Sequence, residues 1–141
     1  MIAADTSTWI SFFQGEQGDD VVTLADALQA RQVVMPPPVL TELLSDPQLP
    51  ASVAQTLSEI PLMALKDDFW PRAGKLRAKA LASKRKARLG DALIAQCCID
   101  AGIALITRDG DFKAFFRDAE PVLSRRNGEH VSVSTWPYSG Y

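Results

Sequence analysis

Four short apolar runs, each followed by a helical pattern, constrain this chain more than any other feature. The runs fall at residues 1–4, 32–35, 60–65 and 103–107. At four to six residues they have the length of buried strands, not of helices. Between them lie amphipathic stretches. The first carries Trp9, Ile10, Phe12 and Phe13 after the capping group Thr6-Ser7-Thr8. The next opens at Asp19-Asp20 and carries Val21, Val22, Leu24, Ala25 and Leu28, and a third, after Pro36-Pro37-Pro38, carries Val39, Leu40, Leu43 and Leu44. Residues 52–59 form a further helix. A long one runs from Asp67 or Asp68 to about Ser83 with Pro71 in its first turn, where proline is tolerated. The last long one opens at Gly90-Asp91, buries Leu93, Ile94, Cys97, Cys98 and Ala101, and stops at Gly102. A short helix holds Phe112, Phe115 and Phe116, and residues 130–133 form a last strand after a polar loop at 125–129. Strand-helix alternation predicts a three-layer α/β/α sandwich around a mainly parallel sheet.

The 141 residues suit one domain, with 47% hydrophobic residues to fill its core and no repeat or linker to divide it. No apolar stretch approaches the roughly 18 residues of a membrane span. The N-terminus has no basic leader and enters its first strand at once, so the chain is expected in the cytoplasm. Cys97 and Cys98 are adjacent in a helical pattern and read as a reduced, buried pair. A single histidine, His130, offers no zinc spacing.

Acidic residues occupy matching places in this alternation. Asp5 ends the first strand and Asp109 follows the fourth. Glu42 lies in the first turns of the helix after the second strand, and Asp91 opens the last long helix. About 12 helical residues after Asp91 travel roughly 18 Å, and the strand that follows returns roughly 17 Å, which brings Asp109 back to the level of Asp91. The carboxyl edge of a parallel sheet is where ligands bind. Each acid alone has a bland explanation: a helix cap at Asp5, a favourable N-terminal charge at Asp91, a turn at Asp109, a solvated helix face at Glu42. Four together repel one another unless a cation sits among them, and a hard divalent ion, Mg²⁺ or Mn²⁺, suits carboxylate ligands. Asp111, two residues beyond Asp109, serves as a ligand, a group behind the ligands or a cap for the Phe112 helix.

Asp5-Thr6-Ser7-Thr8-Trp9-Ile10, Leu40-Thr41-Glu42-Leu43-Leu44, Gly90-Asp91-Ala92-Leu93-Ile94-Ala95 and Leu105-Ile106-Thr107-Arg108-Asp109-Gly110-Asp111-Phe112 together resemble the PIN-domain ribonucleases, and most closely the VapC toxins of toxin–antitoxin pairs. Each motif is weak alone; their order and spacing over nearly the whole chain are specific. The resemblance implies an endoribonuclease dependent on Mg²⁺ or Mn²⁺, often a homodimer, held inactive by a cognate antitoxin. It implies that Asp5, Glu42, Asp91 and Asp109 form the catalytic site. Asp5 and Asp91 are the assigned direct ligands; Asp109, also a metal residue, and Glu42 complete the site directly or through water. Thr6 or Ser7, and Thr107, match small hydroxyl positions that help arrange it. The implied products are a 5′ phosphate and a 3′ hydroxyl. Two other readings stand beside it: a PIN nuclease of RNA processing or structured DNA, and a PIN-like binding module without catalysis.

Net charge is -2, which excludes a basic nucleic-acid binder as a whole. The distribution is uneven, because eight of the fifteen Lys and Arg residues lie between Arg72 and Arg88, running up to Asp91. Lys84, Arg85, Lys86 and Arg88 are therefore the expected contacts for an RNA backbone, against a plain solvated face. Trp9, Phe12 and Phe13 read as packing or as a protein contact, with stacking on bases the alternative.

Overall fold

The computed structural model describes residues 1–116. The strand expected at 130–133 and the loop at 125–129 lie outside the described residues. The elements are β1 (Ile2–Ala4), α1 (Thr6–Phe13), α2 (Asp19–Gln29), α3 (Pro37–Leu44), α4 (Ala51–Ser58), α5 (Phe69–Ala82), α6 (Leu89–Ala101), β2 (Ala104–Ile106), a 3₁₀ turn (Gly110–Phe112) and α7 (Lys113–Phe116). Helices enclose a parallel sheet, an α/β sandwich of the expected class.

β1 pairs in parallel with β2, matching Ile2 with Ala104 and Ala4 with Ile106. On its other edge Ile2 bridges Val33, and Met35 in turn bridges Leu62, both in parallel. Backbone bonds show the alternation: Ile2 N–H donates to Gln32 and Val34 N–H to Ile2, whereas Asp5 N–H donates to Ile106. The sheet order is thus β2, β1, residues 33–35, then residue 62. The second and third expected strands are reduced to single bridges. Pro36, Pro37 and Pro61 flank them, and a proline cannot donate to a ladder.

The core follows the apolar runs. Ala3, Ala4, Leu105 and Ile106 on the strands are essentially inaccessible, as are Trp9, Leu24, Met35, Val39, Ile94 and Cys98 around them. Trp9 stacks on Phe13 with ring centres 5.7 Å apart and meets Phe12 edge-on. Full burial closes base stacking for Trp9. α6 departs from the expected single face: Ala92 and Ala95 are buried along with Ile94, Cys97 and Cys98, Leu93 is only half-buried and Ala101 is exposed. The reason is its place, packed against α3, α5, α7 and β2 at once. Cys97 and Cys98 are free, and burial pushes the Cys97 thiol up to about 12 and that of Cys98 further in the same direction. They are inert packing groups.

α5 is fastened to α6 by ion pairing. The Arg72 guanidinium forks onto the Asp100 carboxylate, Gln96 Nε2 donates to the same carboxylate at 2.9 Å, and Lys66 Nζ donates to the Asp100 carbonyl at 2.6 Å. Arg77 Nε donates to the Ala87 carbonyl at 2.8 Å and so braces the basic connector. Two cations of the basic run thus serve the fold. Among the described residues no helix is long and apolar enough to cross a membrane.

Candidate acidic site

Asp5 stands where β1 ends and α1 begins. Its backbone is extended, and its side chain caps the helix by accepting from Thr8 N–H at 3.0 Å. The capping residue is therefore Asp5, the alternative cap in the sequence, one position before the Thr6-Ser7-Thr8 group. Ser7 Oγ donates to its two oxygens at 2.9 Å, and Thr107 Oγ1 donates at 2.6 Å. Asp5 is only 3% exposed, and burial raises its carboxyl above the ordinary range while these hydroxyls and the amide pull it down. The structure thus places Ser7 and Thr107 on Asp5. Thr6 goes elsewhere: its Oγ1 donates to Glu42 Oε1 at 2.6 Å.

Glu42 projects from α3, exposed to solvent. It is met by the start of α6. A Cβ added to Gly90 would stand 3.3 Å from Glu42 Oε2, so the missing side chain of Gly90 admits that carboxylate. Asp91, next along, lies in the first turn of α6 and is half-buried. Its carboxyl is pushed up to about 6 by burial and then by the charges of Asp109, Asp5 and Glu42, with Arg88 acting in opposition. All four acids therefore share one electrostatic neighbourhood. Asp109 follows β2. Its N–H donates to Thr107 Oγ1 at 2.9 Å, and its side chain accepts from Asp111 N–H at 2.9 Å, capping the 3₁₀ turn. One hydroxyl, that of Thr107, thus touches both Asp5 and the Asp109 backbone.

Asp111 sits half-buried in that turn and lines a cavity of about 150 Å³ with Gly110, Ala114, Arg85 and Lys86. The basic connector therefore lies against the segment that carries Asp109. Lys84, Lys86 and Arg88 are exposed and Arg85 is half-buried. Lys84 takes a left-handed backbone (φ 58°) that turns the chain out of α5. Arg88 is the N-cap residue of α6, three positions before Asp91.

The donor set is entirely carboxylate and hydroxyl oxygen, which suits Mg²⁺ or Mn²⁺ over softer metals. As the side chains stand, no three acidic, cysteine or histidine groups among the described residues are arranged to grip an ion. Both oxygens of Asp5 accept hydrogen bonds, from Ser7, Thr8 and Thr107, and these donors leave the carboxylate a further lone pair. Asp5, Asp91 and Asp109, with Glu42, are the residues that would hold such an ion, which would supply positive charge among the carboxylates.

Sequence reading passed over three residues that surround the site. Asp20, on α2, is 2% exposed and accepts from Thr8 Oγ1 at 3.0 Å. Arg108 donates to both Asp20 oxygens, from Nε at 2.8 Å and Nη2 at 2.9 Å. Its fork holds the Asp20 carboxyl below the ordinary range against the opposing effect of burial. Gly18, with φ at 150°, lies so close that a Cβ would stand 2.5 Å from Asp20 Oδ1. A pair 88 residues apart leaves no periodic signal in a sequence.

A parallel sheet with carboxylates gathered at its carboxyl edge defines an α/β fold with an acidic site. The PIN domain family model matches residues 2–116, and the chain belongs to that family. It is 29% identical over 124 residues to VapC ribonuclease Mb1587 of Mycobacterium bovis, covering 83% of this chain and 92% of the relative. Ribonuclease VapC11 of Mycobacterium tuberculosis matches with the same identity and coverage. Among solved structures, FitAcB from Neisseria gonorrhoeae superposes with a TM-score of 0.59 at 21% identity, over 82% of this chain and 93% of that one. FitAB bound to an IR36 DNA fragment gives 0.62 at 20% identity, over 82% and 90%. These two show the fold.

Proposed function

We propose that this chain is an endoribonuclease of the VapC kind: one domain over residues 1–141, the toxin of a toxin–antitoxin pair, hydrolysing RNA at the acidic site with Mg²⁺ or Mn²⁺. The observation that carries the reading is the gathering of four carboxylates round the start of α6: Asp91 is half-buried there, and burial first, then the charges of Asp109, Asp5 and Glu42, push its carboxyl up to about 6. Carboxylates that crowd one another in this way are suited to a divalent cation. The relatives named as ribonucleases, 29% identical over most of the chain, support the substrate class.

The roles follow from the chemistry. Asp5, Asp91 and Asp109 would hold the metal, and Glu42 would complete the site. A divalent cation there supplies the charge that screens a phosphodiester and acidifies an attacking water. Ser7 and Thr107 orient Asp5, and Thr6 orients Glu42, each through one hydroxyl. Asp111 supports Asp109 through its backbone N–H. Lys84, Arg85, Lys86 and Arg88 attract the RNA backbone beside the acids, a division of labour a net-acidic protein needs. The cognate antitoxin is the expected protein partner, a second copy the expected homodimer partner, and the cytoplasm the expected location.

The test is cleavage of an RNA pool by purified protein with Mg²⁺, Mn²⁺ or a chelator. Asp5→Asn and Asp91→Asn should each abolish cutting while circular dichroism stays native. Full activity in both would remove the metal-site assignment. Expression should arrest growth unless the neighbouring antitoxin gene is present; unimpaired growth despite RNA cleavage would instead favour a processing nuclease.

A further inference from the structure

We propose that Asp20 and Arg108, which carry none of the cluster's own chemistry, are positioning residues that hold Asp5 and Asp109 at a set spacing by closing a polar ring. The inference rests on the nuclease reading above for its kinetic consequence, but not for its structural one.

The ring can be walked atom by atom. Asp5 Oδ1 accepts from the Thr8 amide at 3.0 Å. Thr8 Oγ1 donates to Asp20 Oδ2 at 3.0 Å. Asp20 takes both arms of the Arg108 fork, at 2.8 and 2.9 Å. One peptide bond leads from Arg108 back to Thr107, whose Oγ1 donates to Asp5 Oδ2 at 2.6 Å and closes the circuit. The same Thr107 oxygen accepts the Asp109 amide at 2.9 Å, so Asp109 hangs from the ring by one bond. Three elements meet here: the start of α1, the first turn of α2 and the chain leaving β2.

Burial makes the ring stiff. Asp5, Thr8, Asp20 and Thr107 are at most 3% exposed. A buried polar atom that loses its partner has no water to replace it, so each bond is held by the cost of leaving it unmade. Arg108 is further pinned from the solvent side, with Nη2 donating to the Gln17 carbonyl at 3.4 Å and Nη1 standing 3.9 Å from Glu16 Oε1. The guanidinium is thus committed to orientation. The planar fork matches both oxygens of a carboxylate, which lysine cannot do. Four carboxylates repel, and repulsion alone would spread them; a ring anchored on α2 resists that spread before any cation arrives.

The experiment uses the full chain with Asp20→Asn, Arg108→Gln and the gentler Arg108→Lys. Amide hydrogen exchange by NMR, without metal, is the readout independent of activity. In the first two variants the Thr8 and Asp109 amides should exchange at least about tenfold faster, while the amides of β1 and β2 keep wild-type rates. On one RNA oligonucleotide with Mn²⁺, kcat should fall by about tenfold or more with KM within about twofold, since misplaced ligands damage the reacting geometry and not RNA docking. Arg108→Lys should fall between, and carries the test if the other two fail to fold. Wild-type exchange at Thr8 and Asp109, uniform acceleration of all amides, or wild-type kcat in the variants would each overturn the inference. If the wild-type protein cuts no RNA, the nuclease reading falls, and the exchange pattern alone decides for or against the ring.

Discussion

Asp91 shows how much a single residue can report. Its carboxyl, raised to about 6, binds a proton more readily in the folded chain than in the unfolded one. Stability from this group is therefore fully present below the ordinary aspartate range near 3.8 and is lost as pH rises through about 6. Asp91→Asn should remove that loss. After discounting for its partial exposure, we expect the metal-free variant to gain about 1 kcal/mol at pH 7.5 and nothing at pH 4, read from urea melts. Equal stability of variant and wild type at both pH values would mean the cluster does not strain the fold. Gly90 offers a second residue-scale prediction. Gly90→Ala places a methyl 3.3 Å from Glu42 Oε2 in a helix that otherwise prefers alanine. The variant should keep or slightly raise its melting temperature yet lose several-fold in kcat, with KM little changed. Loss of stability without loss of rate would show that Glu42 simply swings aside. Gly18→Ala meets both an unusual backbone (φ 150°) and the Asp20 carboxylate at 2.5 Å, and should cost about 1–3 kcal/mol in the same urea melts.

At the scale of elements, the basic run separates into parts with different duties. Arg72 binds α5 to α6 through Asp100, and Arg77 holds the connector through the Ala87 carbonyl. Lys84, Lys86 and Arg88 point their charge at solvent beside the acidic site, and Arg85 lines the cavity at Asp111. Replacing Lys84 and Arg85 together by alanine should weaken RNA binding several-fold and reduce its salt dependence by about one to two counterions, measured by fluorescence anisotropy from 50 to 200 mM salt. An unchanged salt slope would assign the run to the fold alone. Asp100→Asn should instead leave RNA affinity alone and lower stability by about 1–3 kcal/mol, because it leaves Arg72 without its charge partner. The helices themselves were legible: the apolar spacing of α1, α2, α3 and α5 sits where the sequence predicts. The middle strands and the full wrapping of α6 were not. Whether an extended run forms a ladder depends on what lies beside it, and Pro36, Pro37 and Pro61 limit that pairing to single bridges.

For the whole molecule, the out-and-back path of α6 and β2 brings Asp109 toward Asp91, and parallel pairing of β1 with β2 sets Asp5 beside Thr107 across 102 residues of sequence. On the proposed metal reading, Mn²⁺ would displace the Asp91 proton, so affinity should weaken as pH drops through about 6, with the raised Asp5 carboxyl acting in the same direction. Isothermal titration calorimetry from pH 5 to 8 reads this directly, and a profile unchanged by Asp91→Asn would remove Asp91 from the ligand set.

The chain's order of short strands, amphipathic helices and acids by itself determined the α/β class and the family, and singled out the four carboxylates as candidates, because hydrophobic period and motif spacing are local properties. Tertiary structure alone decided which oxygen each hydroxyl serves and that Thr8, Asp20 and Arg108 close a ring behind the acids. Those bonds join residues up to 102 positions apart, and contacts made across a packed core leave no period along the chain.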